Sequence, residues 1–185
     1  MDYIFKSMLL LKKKKYAALK IERVNDDGTY LTSMECKGLD IVRRDWCAIS
    51  KDIGHDALAA ILSGRPAEEA VETIHTQLRE LKEKLDAGAV PLEKFVITKQ
   101  LTKRPEDYPD ASNQPHVQVA LRRQKAGKRD GVAAGETVPY IICAKQGDAE
   151  VASGKGIADR AYHLEEVEGE IVPDLQYYLA QQIHP

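Results

Sequence analysis

Lys12-Lys13-Lys14-Lys15-Tyr16 sets four consecutive cations beside an aromatic hydroxyl, between the apolar runs Met8 to Leu11 and Ala17 to Leu19. Ammonium groups at this density need an anion, and a phosphate backbone supplies one at regular spacing. The flanks are apolar and β-forming, and neither Gly nor Pro interrupts Ile4 to Val24, so the pattern predicts one continuous strand there. Alternation along such a strand sends Lys13 and Lys15 to one face and Lys12, Lys14 and Tyr16 to the other. Lysines also guard exposed sheet edges against pairing with other chains. The five residues alone leave the two readings level.

The charge along the chain is segmental, although the net charge of the 185 residues is only −2. Met1 to Lys51 holds 11 Lys+Arg against 7 Asp+Glu, and Lys94 to Asp130 holds 9 against 4. The stretches between and after them, Asp52 to Glu93 and Gly131 to Pro185, hold 4 against 9 and 3 against 9. A polyanion responds to local surfaces rather than to the whole-chain balance, so the two basic blocks are expected to converge on one ligand.

These blocks need elements to carry them. Asn25-Asp26-Asp27-Gly28 predicts a hairpin turn, followed by a second strand over Thr29 to Cys36. After a turn at Lys37-Gly38, Asp45 reads as the cap of a helix that starts at Trp46 and runs to Leu62. Ser63 to Pro66 breaks that helix and starts another, whose apolar stripe is Ala67, Ala70, Val71, Ile74, Leu78, Leu81 and Leu85, ending at Gly88. Phe95 to Arg104 reads as extended and Pro105 to Pro115 as a loop. His116 to Arg123 is a short helix whose first amides and basic last turn both suit an anion. Thr137 to Cys143 is a strand, Gly154-Lys155-Gly156 a hairpin tip, and Asp174 to Pro185 an amphipathic helix without a C-cap. A chain that opens in a strand and closes in an unfinished helix reads as a piece of a longer protein.

Several classes of chemistry find no support in the sequence. The N-terminal apolar run is too short for a signal peptide, and no stretch approaches the roughly 20 apolar residues that cross a bilayer, so no membrane partner is expected. Cys36, Cys47 and Cys143 are scattered, as are the five histidines, and neither a disulfide framework nor a metal site is expected. No phosphate-cradling glycine motif is complete.

Read together, the motifs resemble those of family B DNA polymerases. Lys13-Lys14-Lys15-Tyr16, Lys37-Gly38 with Val42-Arg43-Arg44-Asp45, Leu101-Thr102-Lys103 with Tyr108, Pro115-His116-Val117 with Val119-Ala120, and Gln176-Tyr177-Tyr178 occur in that family's order and rough spacing. Lys12 to Leu19, Lys37 to Cys47, Tyr108-Pro109-Asp110 and Gln176 to Pro185 are most similar to the alpha type of the eukaryotic enzymes. The resemblance implies an α+β fold. An antiparallel β-hairpin at the C-terminal edge of the palm (1–45) would precede a mainly helical thumb with a small β-containing subdomain (46–185). The thumb would comprise a helical hairpin (46–88), a basic segment with a short helix (94–126), and a strand with the C-terminal helix (136–185).

The family's KKxY motif falls on Lys13, Lys14 and Tyr16, which the resemblance implies contact a primer–template duplex, DNA or RNA–DNA hybrid. Lys15, Lys37, Arg43, Arg44, Lys99, Lys103, Tyr108, His116, Arg122 and Arg123 are the further candidates. Three of them have obvious internal alternatives: Arg43 or Arg44 pairing with Asp40 or Asp45, and Tyr108 pinning its loop. A polymerase that accepts every sequence should grip phosphates, and lysine suits that task. The carboxylates that hold two magnesium ions in the family have no counterpart in this sequence. The resemblance therefore implies a fragment inactive by itself, with two Mg2+ belonging to the full-length enzyme. It also implies a nuclear location, and primase and an accessory subunit as partners of the whole protein. A stand-alone nucleic-acid-binding module, or a docking domain that uses the acidic helix from Pro66 to Ala87, are the alternatives from other classes.

Overall fold

In the computed structural model, residues 4–145, 156–169 and 171–183 are described. The chain divides by packing into two compact units. The first comprises residues 1–43 and 50–89, the second 44–49 and 90–185. The fold is α+β, as expected. The helical pair packs in the same unit as the N-terminal strands, so the break in packing falls after Ala89 and not only near residue 45.

The lysine run does not lie inside one strand. β1 (Phe5–Lys12) ends and β2 (Lys15–Val24) begins on either side of a two-residue turn, Lys13-Lys14, with Lys14 in the left-handed region at φ 66°. The expected assignment of alternate lysines to opposite faces is corrected with it. No Gly, Asn or Pro announces the turn, but four adjacent ammonium groups repel one another least where the chain bends into water. β3 (Tyr30–Lys37) completes an antiparallel sheet in the order β1-β2-β3, joined to β2 by the predicted turn at Asn25 to Gly28.

Gly38 follows β3 at φ +67°, and a Cβ built on it would lie 2.1 Å from the carbonyl oxygen of Lys14. Only a residue without a side chain lets the two backbones meet, so Gly38 sets the lysine turn against the end of β3.

One face of the sheet is apolar. Ala17 and Leu39 are buried with Leu58 and Leu62 of α1 (Ala48–Leu62), and Leu9, Leu19, Met34, Cys36 and Ile41 pack around them. The Ser7 hydroxyl donates to the carbonyl of Leu62 at 2.8 Å and ties β1 to the end of that helix. α1 starts at Ala48 rather than at Trp46. The amide of Cys47, just before the helix, donates to Oε1 of Gln182 at 3.0 Å. α2 (Ala67–Asp86) follows the predicted stripe, with Ala70 and Leu85 buried and Val71 half exposed.

The second unit is built on β5 (Thr137–Lys145), which pairs in succession with β4 (Ile97–Gln100), β6 (Ala161–Tyr162) and β7 (Ile171–Pro173), each antiparallel. α3 (Pro115–Lys125) packs on it and buries Val117, Val119 and Ala120. The C-terminal helix starts as α4 (Leu175–Tyr178), capped by the Asp174 side chain, and widens to a π-helical turn over Leu179–Ile183. Tyr178 is fully buried; its hydroxyl donates to the carbonyl of Phe95 at 2.7 Å and accepts from the amide of Ile142 at 3.1 Å. The Gly154-Lys155 tip and the last two residues lie outside the described residues. No helix among the described residues is long and apolar enough to cross a membrane.

Replacing Gly38 by Ala should cost about 2–4 kcal/mol, because it adds a backbone clash to an unfavourable φ. Gly28→Ala, at φ +80° with open space around it, should cost only about 1 kcal/mol. Urea midpoints of the two variants check the contrast.

Candidate nucleic-acid interface

In the first unit the sequence-predicted cations separate into exposed and engaged groups. Lys13 and Lys14 are exposed at the tip of the turn. Lys15 is half-buried, with Nζ 4.0 Å from Asp40, and Arg43 approaches the same carboxylate at 3.9 Å. Tyr16 faces Lys37 directly across β2 and β3, and the Lys37 ammonium lies 5.7 Å from the centre of the tyrosine ring. Glu35, two residues before Lys37, accepts the Tyr16 hydroxyl proton and lies 3.4 Å from the ammonium. The hydroxyl of Tyr16 holds the Glu35 carboxyl below its ordinary range, with help from Lys37 and Lys20 and against partial burial. The Lys37 ammonium is raised in turn, first by Tyr16 and then by Glu35.

The second unit offers a smaller exposed set. Arg44 is exposed, and its carbonyl accepts from the Thr98 hydroxyl at 3.0 Å, which brings it beside β4. Lys99 of β4 and Lys103 just beyond it are exposed as well. Lys103 lies 5.0 Å from the ring centre of Tyr108, whose hydroxyl accepts from the Thr102 amide at 2.8 Å. Tyr108 therefore pins its own loop and presents a face to a cation.

Of the remaining expected contacts, Arg123 and His116 are buried and Arg122 is engaged within the unit. Arg123 is 3% exposed and held between Asp130 and Glu165, so its guanidinium has carboxylates on both sides and no route to a phosphate. Arg122 is half-buried, donates to the Ala161 carbonyl and stacks 5.3 Å from the Tyr162 ring. His116 is 1% exposed and packs edge-on against Tyr108. Burial, with the Lys99 charge second, lowers its pKa to about 4. Among the described residues, no three His, Cys, Asp or Glu side chains gather as a metal would require.

A surface of exposed lysines suits an anionic partner such as a phosphate backbone. The family model described as DNA polymerase family B matches residues 1–185. The chain belongs to DNA polymerase family B. It is 54% identical over its whole length to the DNA polymerase alpha catalytic subunit of Arabidopsis thaliana and 48% identical to that of Mus musculus. In each case the chain spans 12% of the relative's length. Among solved structures, the family B DNA polymerase of the hyperthermophilic archaeon Pyrobaculum calidifontis aligns with a TM-score of 0.69 at 28% identity, over 95% of this chain and 20% of that one. The resemblance to family B, and within it to the alpha type, is borne out.

For a family B segment, the residue that sequence reasoning missed is Glu35, the anion set among the lysines. Its place shows only in the folded register of β2 against β3, which sets Tyr16 opposite Lys37 and Ala18 opposite Glu35.

The buried, neutral His116 predicts acid lability. Its folded pKa is depressed, so stability is full at pH above about 6.5 and falls as the pH drops towards about 4. Between pH 7.5 and 5 the loss from this group should be on the order of 2 kcal/mol. Denaturation at both pH values should show it, and His116→Gln should shrink the pH-dependent part whatever it does at pH 7.5.

Proposed function

We propose that this segment holds the primer–template duplex of a replicative DNA polymerase of the alpha type, without carrying the chemistry of nucleotide addition. In this reading residues 1–45 are the palm edge and 46–185 the thumb, as the family resemblance implies. The observation that carries it is the pair Lys13-Lys14, exposed on a two-residue turn that Gly38 holds against β3, in a chain that belongs to family B.

Flexible cations attract any polyanion. Cations fixed at the tip of a short turn meet phosphates at a defined place, and phosphates are common to every sequence a polymerase must copy. Lys37 near the turn offers a further cation to the backbone in the first unit, and Arg44, Lys99 and Lys103 form the second unit's own exposed basic set. Arg43 and Lys15 brace the turn through Asp40.

Nucleotide addition in this family of reactions uses two divalent ions held by carboxylates, which activate the primer hydroxyl and steady the leaving pyrophosphate. The described residues here do not fit such a pair, so we assign the two Mg2+ to other parts of the full-length enzyme. Primer extension, the RNA–DNA hybrid as a bound duplex, primase and an accessory subunit as partners, and a nuclear location belong to the proposal for the whole protein.

Titrating a fluorescent primer–template against the protein at two salt concentrations tests the reading. Affinity should fall steeply with salt, and Lys13→Glu with Lys14→Glu should weaken low-salt binding about tenfold or more. The same change should flatten the log–log salt slope by about 2, one unit for each phosphate no longer neutralised. Binding that ignores salt, or that survives the charge reversal, refutes the reading. The segment should add no nucleotide to a primer in an incorporation assay; measurable extension would refute the assignment of the chemistry elsewhere.

A further inference from the structure

The surface that carries Tyr16 also carries an anion of the protein's own. Oε1 of Glu35 accepts the Tyr16 hydroxyl proton, and the same oxygen lies 3.4 Å from the Lys37 ammonium. The Lys37 ammonium sits 5.7 Å from the tyrosine ring, so donor, cation and aromatic face close around one carboxylate oxygen. The side chains of Glu35 and Lys37 are 32% and 65% exposed, within reach of a ligand.

A phenol has a single proton to give. While Tyr16 gives it to Glu35, it cannot give it to a phosphate, which only accepts. The carboxylate also sets a negative charge among cations that would otherwise face the backbone. A hydroxyl and an ammonium converging on one anionic oxygen are the groups a phosphodiester oxygen would recruit.

We infer that Glu35 is an internal competitor for the duplex: it occupies the place at Tyr16 and Lys37 that a backbone phosphate oxygen takes when primer–template is bound. The inference rests on the reading that this surface holds the duplex backbone. Its consequence is a grip weaker than the lysines alone would give. Each phosphate displaces the carboxylate on arrival and is displaced by it on leaving. A duplex that must advance after every addition is thereby released stepwise.

The test uses the whole polymerase that contains this segment and a fluorescein-labelled primer–template, with affinity read by anisotropy at fixed salt. Glu35→Gln should tighten binding about two- to fivefold, the scale of an exposed charge pair, and Glu35→Ala at least as much. Glu22 supplies the control, an exposed carboxylate of β2 that accepts from Ser33 at 2.5 Å and lies 3.3 Å from Lys20. Glu22→Gln should change affinity much less than Glu35→Gln does. In a Tyr16→Phe, Lys37→Met background, Glu35→Gln should do no more than Glu22→Gln. Unchanged or weaker binding by both Glu35 variants overturns the inference, and so does equal tightening by Glu22→Gln, which would reduce the effect to net charge. If reversal at Lys13 and Lys14 weakens binding while the Glu35 variants fail to tighten it, only this inference falls. If that reversal leaves binding intact, the underlying reading falls and takes the inference with it.

Discussion

The meeting of two backbones at Lys14 and Gly38 is the constraint on which the first unit turns. Position 38 has no room for a Cβ, because the carbonyl oxygen of Lys14 occupies that space. The contact sets the turn between β1 and β2 against the end of β3, and so fixes where the lysine pair sits relative to Tyr16, Glu35 and Lys37. The apolar face beneath, with Leu58 and Leu62 against Ala17, supplies the burial that holds the sheet on α1. Without the glycine the same strands could pair, but the turn would have to move off β3, and the charges with it.

Arginine and lysine divide the electrostatic work of the second unit. Arg123 and Arg122 lie within the packing of α3, their planar guanidinium groups matched to carboxylates, a carbonyl and a ring. Arg160 pairs with Asp174, which also caps the C-terminal helix. A delocalised, weakly hydrated cation tolerates such partly dry sites, whereas the compact ammonium of lysine keeps its water. Lys99 and Lys103 accordingly stay at the surface. The internal clamps of this unit are thus arginines, while its exposed cations include arginine, as at Arg44, as well as lysine.

The periodic parts of the fold were legible in the sequence. α2 follows its apolar stripe, the turn at Asn25 to Gly28 is marked by its residues, and β5 by its β-branched run. The lysine turn was not legible, since Lys13-Lys14 carries none of the residues that favour a left-handed φ, and its cause lies at Gly38, well along the chain. The Tyr16–Glu35 pair was hidden by a register shift between Ile21 and Arg23. Counted straight back from Val24 opposite Tyr30, Tyr16 would face Gly38, and Glu35 would fall on the other side of the sheet. His116 and Arg123 misled because a helix with an open first turn and a basic last turn looks the same on paper whether its side chains face water or a core. Only the packing of α3 on β5 separates the two cases.

The account depends on one physical statement: the exposed lysine turn touches the backbone of a duplex. A photo-reactive amino acid in place of Lys13, in the whole polymerase and irradiated with labelled primer–template, tests it at the atom in question. The account predicts a covalent adduct to the nucleic acid that disappears as salt is raised. Adducts to protein alone, or adducts to nucleic acid that persist unchanged at high salt, would contradict it.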